Sequence, residues 1–150
     1  MLGVTPLGEV RLRDSHMPTV LIVDDHQVVR RVVRHALQPL ALDVIEAENA
    51  GTALTLAESF ALDLVLVDTN LPDEDGFRLL QQLKALPHLA TAPMIMLSSS
   101  GGSDEEIRAR EAGAAAFLSK PFHTQALREA VLGALGAGRG RANPLPYCGP

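Results

Sequence analysis

Five short apolar runs alternate along the chain with stretches in which apolar residues recur every three or four positions. Thr19-Val20-Leu21-Ile22-Val23, Leu64-Val65-Leu66-Val67 and Pro93-Met94-Ile95-Met96-Leu97-Ser98 are continuously apolar and bounded by turn or polar residues. That is the pattern of strands buried on both faces of a parallel sheet, and a proline is tolerated at the start of one. Asp43-Val44-Ile45-Glu46-Ala47 alternates and predicts a strand nearer the sheet edge, and Ala115-Ala116-Phe117-Leu118-Ser119 predicts a fifth. Helical spacing places Val29, Val33, Ala36, Leu37 and Leu40 on one face of a helix that Pro39 ends. Ala53, Leu54, Ala57 and Phe60 mark a second helix, Phe77, Leu80, Leu83 and Leu86 a third, and Leu127, Val131, Ala134 and Leu135 the last. Ser103 with Glu106 reads as a capping box opening a short polar helix over 104–112, which Gly113 stops and only Ile107 and small residues anchor.

Strand and helix alternating five times predict an α/β fold, a doubly wound five-stranded parallel sheet with helices on both faces. Order 2-1-3-4-5 suits five strands and sets the ends of the first and third side by side at the switch point, where ligands of open α/β sheets bind. The strand ends carry an unusual selection of residues: Asp24 and Asp25 after the first, Asp68 on the third, Ser98 on the fourth and Lys120 after the fifth. Pro72 and Gly76 force a loop after Asp68, holding its carboxylate at a loop mouth. Residues 17–137 read as one domain, 1–16 as an extension outside it, and the Gly- and Pro-rich 138–150 as a tail or linker.

Composition narrows the chemistry. A net charge of −5 without a Lys/Arg-rich block argues against direct nucleic-acid binding. The single cysteine, Cys148, leaves no disulfide framework and no Cys-based metal site. The chain carries neither a leader-like apolar region near Met1 nor a run long enough to span a bilayer, and so reads as soluble and cytoplasmic.

Three carboxylates brought within a few ångströms of one another repel, which raises their pKa values unless a cation sits among them. Mg²⁺ uses few carboxylates, keeps waters and accepts phosphate oxygens, so this acid set reads as a site half-built for a phosphoryl group. Lys120 supplies a point charge and Ser98 a hydroxyl for the remaining phosphoryl oxygens.

With those residues in order, the chain resembles a receiver domain of two-component response regulators over roughly Pro18 to Ala137. Val23-Asp24-Asp25-His26 resembles the family's acidic pair, and Asp68-Thr69-Asn70-Leu71-Pro72 through Asp75-Gly76 its phosphoacceptor loop. Ser98 stands at the Ser/Thr switch position, and Phe117 with Lys120-Pro121-Phe122 completes the set. The resemblance implies a CheY-like, flavodoxin-like (βα)₅ fold and Asp68 as the nucleophile that takes a phosphoryl group from a histidine kinase or histidine phosphotransfer protein. It implies Mg²⁺ held by Asp25, Asp68 and the backbone carbonyl of Asn70, with Asp24 one layer behind. It further implies catalytic roles for Lys120 and Ser98, a switch made of Ser98 and Phe117, and a cis Lys120-Pro121 bond. Such a protein catalyses its own phosphorylation and dephosphorylation but turns over no external substrate. Its output surface, 104–136, would meet an effector or a second copy.

Two other classes compete. A haloacid-dehalogenase-type hydrolase needs a second Asp two residues after the nucleophile, where this chain has Asn70, and needs both on the first strand. A receiver-like module that works without phosphorylation should have lost some of Asp25, Asp68, Ser98 or Lys120, and all are present. Arg30, Arg31 and Arg34 read either as the wet side of a helix or as a dock for an acidic kinase surface. Asp73, Glu74 and Asp75 read as loop solvation and helix capping, and Thr124 as a cap in place of His123.

Overall fold

The computed structural model describes residues 17–138; the predicted extension 1–16 and, of the predicted tail 138–150, all but Gly138, which ends the last helix, lie outside the described residues, Cys148 included. Strands β1 (Thr19–Val23), β2 (Asp43–Ala47), β3 (Leu64–Asp68), β4 (Met94–Ser98) and β5 (Ala116–Ser119) form one parallel sheet in the order β2-β1-β3-β4-β5. Helices α1 (Gln27–Leu37), α2 (Ala50–Ser59), α3 (Gly76–Lys84), α4 (Ser103–Ala112) and α5 (Thr124–Gly138) connect and flank it. Pro39 lies in a short 3₁₀ turn, Gln38–Leu40, that takes over where α1 ends. A proline lacks the N–H that a continuing α-helix would use, so the tighter turn follows.

Period-two alternation along the central strands divides the interior into two cores. Leu21, Val23, Val65, Val67, Met94 and Met96 face α2, α3 and Ala109 of α4. Val20, Ile22, Leu64, Leu66, Ile95 and Leu97 face Val33, Ala36 and Leu37 of α1 and Leu127, Val131 and Ala134 of α5. Strands β3 and β4 are buried along their whole length, whereas β2 at the edge is mostly half-exposed, as its alternation predicts. Arg128 of α5 also donates to the Ala36 carbonyl of α1 at 2.7 Å, joining the two helices of that face.

Four local readings are corrected by the structure. Helix α4 has no capping box: Gly102 is its N-cap, Ser103 is already helical, and no side chain caps the turn. Ile107 is no anchor, being 54% exposed, and α4 buries only Ala109. Arg30 and Arg34 do not form a free basic face, because both turn back onto β2 and bind Glu46 at 2.8 Å each. Arg30 also donates to the Asp24 carbonyl at 2.7 Å and Arg34 to that of Val44 at 3.0 Å, leaving Arg31 as the outward member. Burial pushes the Glu46 carboxyl up, but its hydrogen bonds to Arg30 and Arg34, with their charges, outweigh that and hold it below its ordinary value. Thr124 is the first helical residue of α5, and the Leu127 N–H bonds to the His123 carbonyl, so His123 stands at the N-cap position.

The loop from β3 to α3 is closed by backbone contacts. Asn70 and Asp75 bridge as an antiparallel pair, and the Gly76 N–H donates to the Thr69 carbonyl at 2.9 Å. Gly76 packs so closely that a Cβ there would lie 2.0 Å from the Asp68 carbonyl oxygen and 2.8 Å from the Thr69 Cα. Both obstacles are backbone and have nowhere to go. Gly76→Ala is expected to destabilise the domain by about 3 kcal/mol or more, the upper range for overpacking, as read from the midpoint of urea denaturation.

Candidate functional site

Parallel register delivers the polar strand ends to one place. Val23 lies opposite Val67, Asp68 opposite Leu97 and Ser98 opposite Ser119, so Asp24, Asp68, Ser98 and Lys120 all emerge at the carboxyl edge of the sheet. Three backbone hydrogen bonds extend the ladders past the strands: Asp24 N–H to Ala47 at 3.1 Å, Thr69 N–H to Leu97 at 2.9 Å and Lys120 N–H to Ser98 at 2.7 Å. The Lys120-Pro121 peptide is cis.

Asp24 is fully buried and Asp68 is 1% exposed. The Lys120 ammonium lies 2.7 Å from Asp24 Oδ2 and 3.4 Å from Asp68 Oδ1, bridging both carboxylates. Asp68 Oδ1 also accepts a long hydrogen bond, 3.4 Å, from the Asn70 N–H. Burial, and then the charge of Asp24, push the Asp68 carboxyl above its ordinary value, with Lys120 and Asn70 only partly offsetting them. Asp25 is exposed at the rim. His26 Nδ1 stands 3.2 Å from an oxygen of Asp24 and 3.2 Å from one of Asp25, and the His26 backbone N–H donates to Asp24 at 2.9 Å.

Asp24, Asp25, His26 and Asp68 each offer a ligand atom, all within 4.8 Å of one another. These acids outnumber the one lysine among them, and hard oxygen donors at this spacing suit a divalent cation. A cation there would relieve the repulsion that raises Asp68.

Ser98 is fully buried at the end of β4, and its hydroxyl is engaged by the loop and helix that follow, with the Ser100 hydroxyl 3.5 Å away. The Ser98 hydroxyl donates to Glu105 Oε1 of α4 and accepts from the Gly101 N–H at 2.9 Å. Phe117 is half-buried on β5 and packs against the core facing α2 and α3. Two acids of the β3–α3 loop do more than solvate it. Asp75 caps α3, accepting from the Phe77 N–H at 2.9 Å, and pairs with Arg108 of α4 at 2.8 Å. Asp73 accepts from the backbone N–H groups of Ala50 and Gly51 at 2.9 and 3.0 Å, tying the loop to the first turn of α2. Those two bonds hold the Asp73 carboxyl below its ordinary value. Neither Asp73 nor Glu105 stands out in the sequence, because both act across gaps between elements. Concavity does not mark the site either: an open groove of about 620 Å³ lies between α3 and α4, where Arg108 stacks on Phe77 at 4.1 Å.

A profile of the response regulator receiver domain matches residues 20–132. The chain belongs to this receiver family. It is 39% identical to the KDP operon transcriptional regulatory protein KdpE of Escherichia coli over 106 residues, which cover 71% of this chain but 46% of that protein. To the chemotaxis protein CheY of Pseudomonas aeruginosa it is 33% identical over 113 residues, covering 75% of this chain and 91% of CheY. Its fold is similar to the crystal structure of a CheY-like receiver domain protein from Methanospirillum hungatei, with a TM-score of 0.77 and 27% identity over 83% of this chain and 98% of that one. CheY4 of Vibrio cholerae gives 0.73 and 27% over 78% and 98%. The receiver thus spans nearly all of the chemotaxis relative but under half of KdpE. Receivers are signalling modules rather than enzymes that turn over external substrates, and the family match favours no phosphorylation-independent reading.

The raised Asp68 pKa sets the sign of a stability effect. For an acid held above its unfolded value, 3.8, the penalty is absent below that pH and complete once the pH passes the folded value. Asp68→Asn should therefore melt higher than the unsubstituted protein at pH 7 in chelator, by roughly 2–4 °C. The difference should shrink as the pH falls toward 3.8, which thermal melts across pH 4 to 8 would read.

Proposed function

We propose that this receiver, with residues 17–137 as its working unit, accepts one phosphoryl group on Asp68 from a histidine kinase or histidine phosphotransfer protein. The observation that carries the reading is the Asp68 carboxylate, buried at the switch point between β1 and β3 and bridged by Lys120 to Asp24. A carboxylate oxygen of Asp68 attacks the phosphorus of a phosphoimidazole. The P–N bond breaks, the leaving nitrogen keeps its electron pair and takes a proton, and an acyl phosphate forms. Hydrolysis of that mixed anhydride returns the carboxylate, so the protein resets itself.

Asp25, Asp68 and the Asn70 carbonyl would hold Mg²⁺, with Asp24 one layer behind. When bound, Mg²⁺ supplies the positive charge that lets a phosphoryl group approach a cluster of acids. Lys120 already stands between Asp24 and Asp68 and needs only a small shift to pair with a phosphoryl oxygen. Ser98 supplies a hydrogen bond to another oxygen after turning from Glu105, and Phe117 follows into the space so vacated. The surface made by α4, β5 and α5 then presents a different shape to an effector or a second copy. Ile107 of α4 and Leu132 of α5, each more than half exposed, would offer apolar contact points. No described helix is long and apolar enough to cross a membrane, and the acidic net charge leaves nucleic acid to other partners. The proposed site of action is the cytoplasm.

With acetyl phosphate and Mg²⁺, intact mass should show one added phosphoryl group, lost in chelator and absent from Asp68→Asn. Asp25→Ala should remain folded, lose labelling and weaken Mg²⁺ affinity by roughly 10- to 100-fold in a calorimetric titration. Equal labelling of Asp68→Asn would move the acceptor elsewhere.

A further inference from the structure

We infer that Glu105 is a positioning residue, one that holds the unphosphorylated state by occupying the only proton of the Ser98 hydroxyl. This rests on the phosphoacceptor reading of Asp68 and names a regulator of that site. A serine hydroxyl has one hydrogen to donate. Here it goes to Glu105 Oε1, while the oxygen accepts from Gly101 N–H at 2.9 Å. A phosphoryl oxygen on Asp68 and the Glu105 carboxylate are therefore competing acceptors for the same proton. The two negative groups also repel across it, so gaining one contact means leaving the other.

The remaining acids of that turn do not share this arrangement. Asp104, Glu105 and Glu106 all lie in the first turn of α4, where negative charge complements the helix dipole. Glu106 is engaged by Arg110 at 2.9 Å, and Arg108 reaches across to Asp75. Glu105 alone turns back to the end of β4. The intervening loop is close-fitting as well: Gly101 has φ +63°, and a Cβ there would lie 2.6 Å from Ser119 Oγ. Gly102, by contrast, has open space around it. The loop is thus seated against β5 at one glycine and free at the next, so that releasing Glu105 frees the start of α4 to move. Since α4 buries only Ala109, what else opposes that movement is the exposed Arg108–Asp75 pair and the stacking of Arg108 on Phe77.

Beryllofluoride with Mg²⁺, which mimics a phosphoryl group on a carboxylate, tests this by calorimetric titration on the full chain. Glu105→Ala should bind it roughly tenfold more tightly, the scale of one hydrogen bond to a charged group. Glu105→Gln keeps an acceptor but no charge, and should gain a smaller amount, about threefold. In a Ser98→Ala background the gain from Glu105→Ala should fall below about twofold, which a merely structural role would not predict. Without any ligand, amides 99–104 should exchange faster in Glu105→Ala than in the unsubstituted protein. Unchanged affinity in both variants, or an equal gain without Ser98, overturns the role of Glu105. Failure of the unsubstituted protein to bind beryllofluoride overturns the reading of Asp68 on which it rests. Should Glu105→Ala not fold, the Glu105→Gln titration decides alone.

Discussion

The bridge from Lys120 to Asp24 is the interaction on which the rest of the site depends. Asp24 is completely buried, and an ionised carboxylate without a partner there would cost several kcal/mol. Its partner arrives from 96 residues away, at the end of the last strand. Every parallel register between β1 and β5 must hold for the two to meet, because a slip of one residue moves a strand end by about 3.3 Å and turns its side chains to the other face. The bridge therefore ties the order and register of the sheet to the chemistry at its edge. It also leaves a residue of negative charge, since one ammonium serves Asp24 and Asp68 while Asp25 adds a third carboxylate at the rim. A site that is satisfied structurally and under-compensated electrostatically responds to cations and to whatever cations bring with them.

Around that bridge, the two loops that frame Asp68 are built in opposite ways. The loop after β3 is fixed from all sides: the Asn70–Asp75 bridge closes it, Gly76 seats it on Asp68, and Asp73 fastens it to α2. These contacts fix the backbone on which Asp68 and Asn70 sit. The loop after β4 gathers on the Ser98 hydroxyl, whose three contacts, Ser100, Gly101 and Glu105, all lie in that loop and the first turn of α4. One half of the site is thus held by backbone and by a neighbouring helix, and the other by the hydrogen bonds of a single hydroxyl.

Hydrophobic period and the abrupt arrival of carboxylates at strand ends made the sheet, its order and the set Asp24, Asp25, Asp68, Ser98 and Lys120 legible from residues alone. Those features are local, or follow from the short list of topologies that five βα units permit. The direction of side chains between elements was not legible. Ser103 and Glu106 have the spacing of a capping box, yet the chain enters α4 one residue earlier, at Gly102, and its neighbour Glu105 finds Ser98 instead. Arg30 and Arg34 look like an exposed basic face until β2 is placed beside α1 and Glu46 falls between them. Ile107 has the right chemistry for an anchor, but the helix is turned so that Ala109 is the residue against the core. Each of these outcomes depends on how an element is rotated or where it starts, which a periodicity of 3.6 specifies only to within a residue or so.

The same packing explains why a signal from Asp68 would travel through α4 and not through its neighbours. Shifting a two-state equilibrium from mostly one state to mostly the other takes about 5.5 kcal/mol of differential interaction. Charge-assisted hydrogen bonds from Lys120 and Ser98 to a phosphoryl group on Asp68 would contribute about 1.5–3 kcal/mol each, so the driving force would be of that order and no larger. Helix α3 buries Phe77, Leu79, Leu80 and Leu83, and α5 buries Leu127, Val131 and Ala134. At about 1.5–3 kcal/mol for each large apolar side chain, withdrawing either helix from the core would consume more than the site can supply. Helix α4 has one buried alanine, the exposed Arg108–Asp75 pair, a cation stacked on Phe77, and the Glu105 contact to lose. It is the element on this face whose displacement fits within the energy available, and it is the one joined directly to the Ser98 hydroxyl.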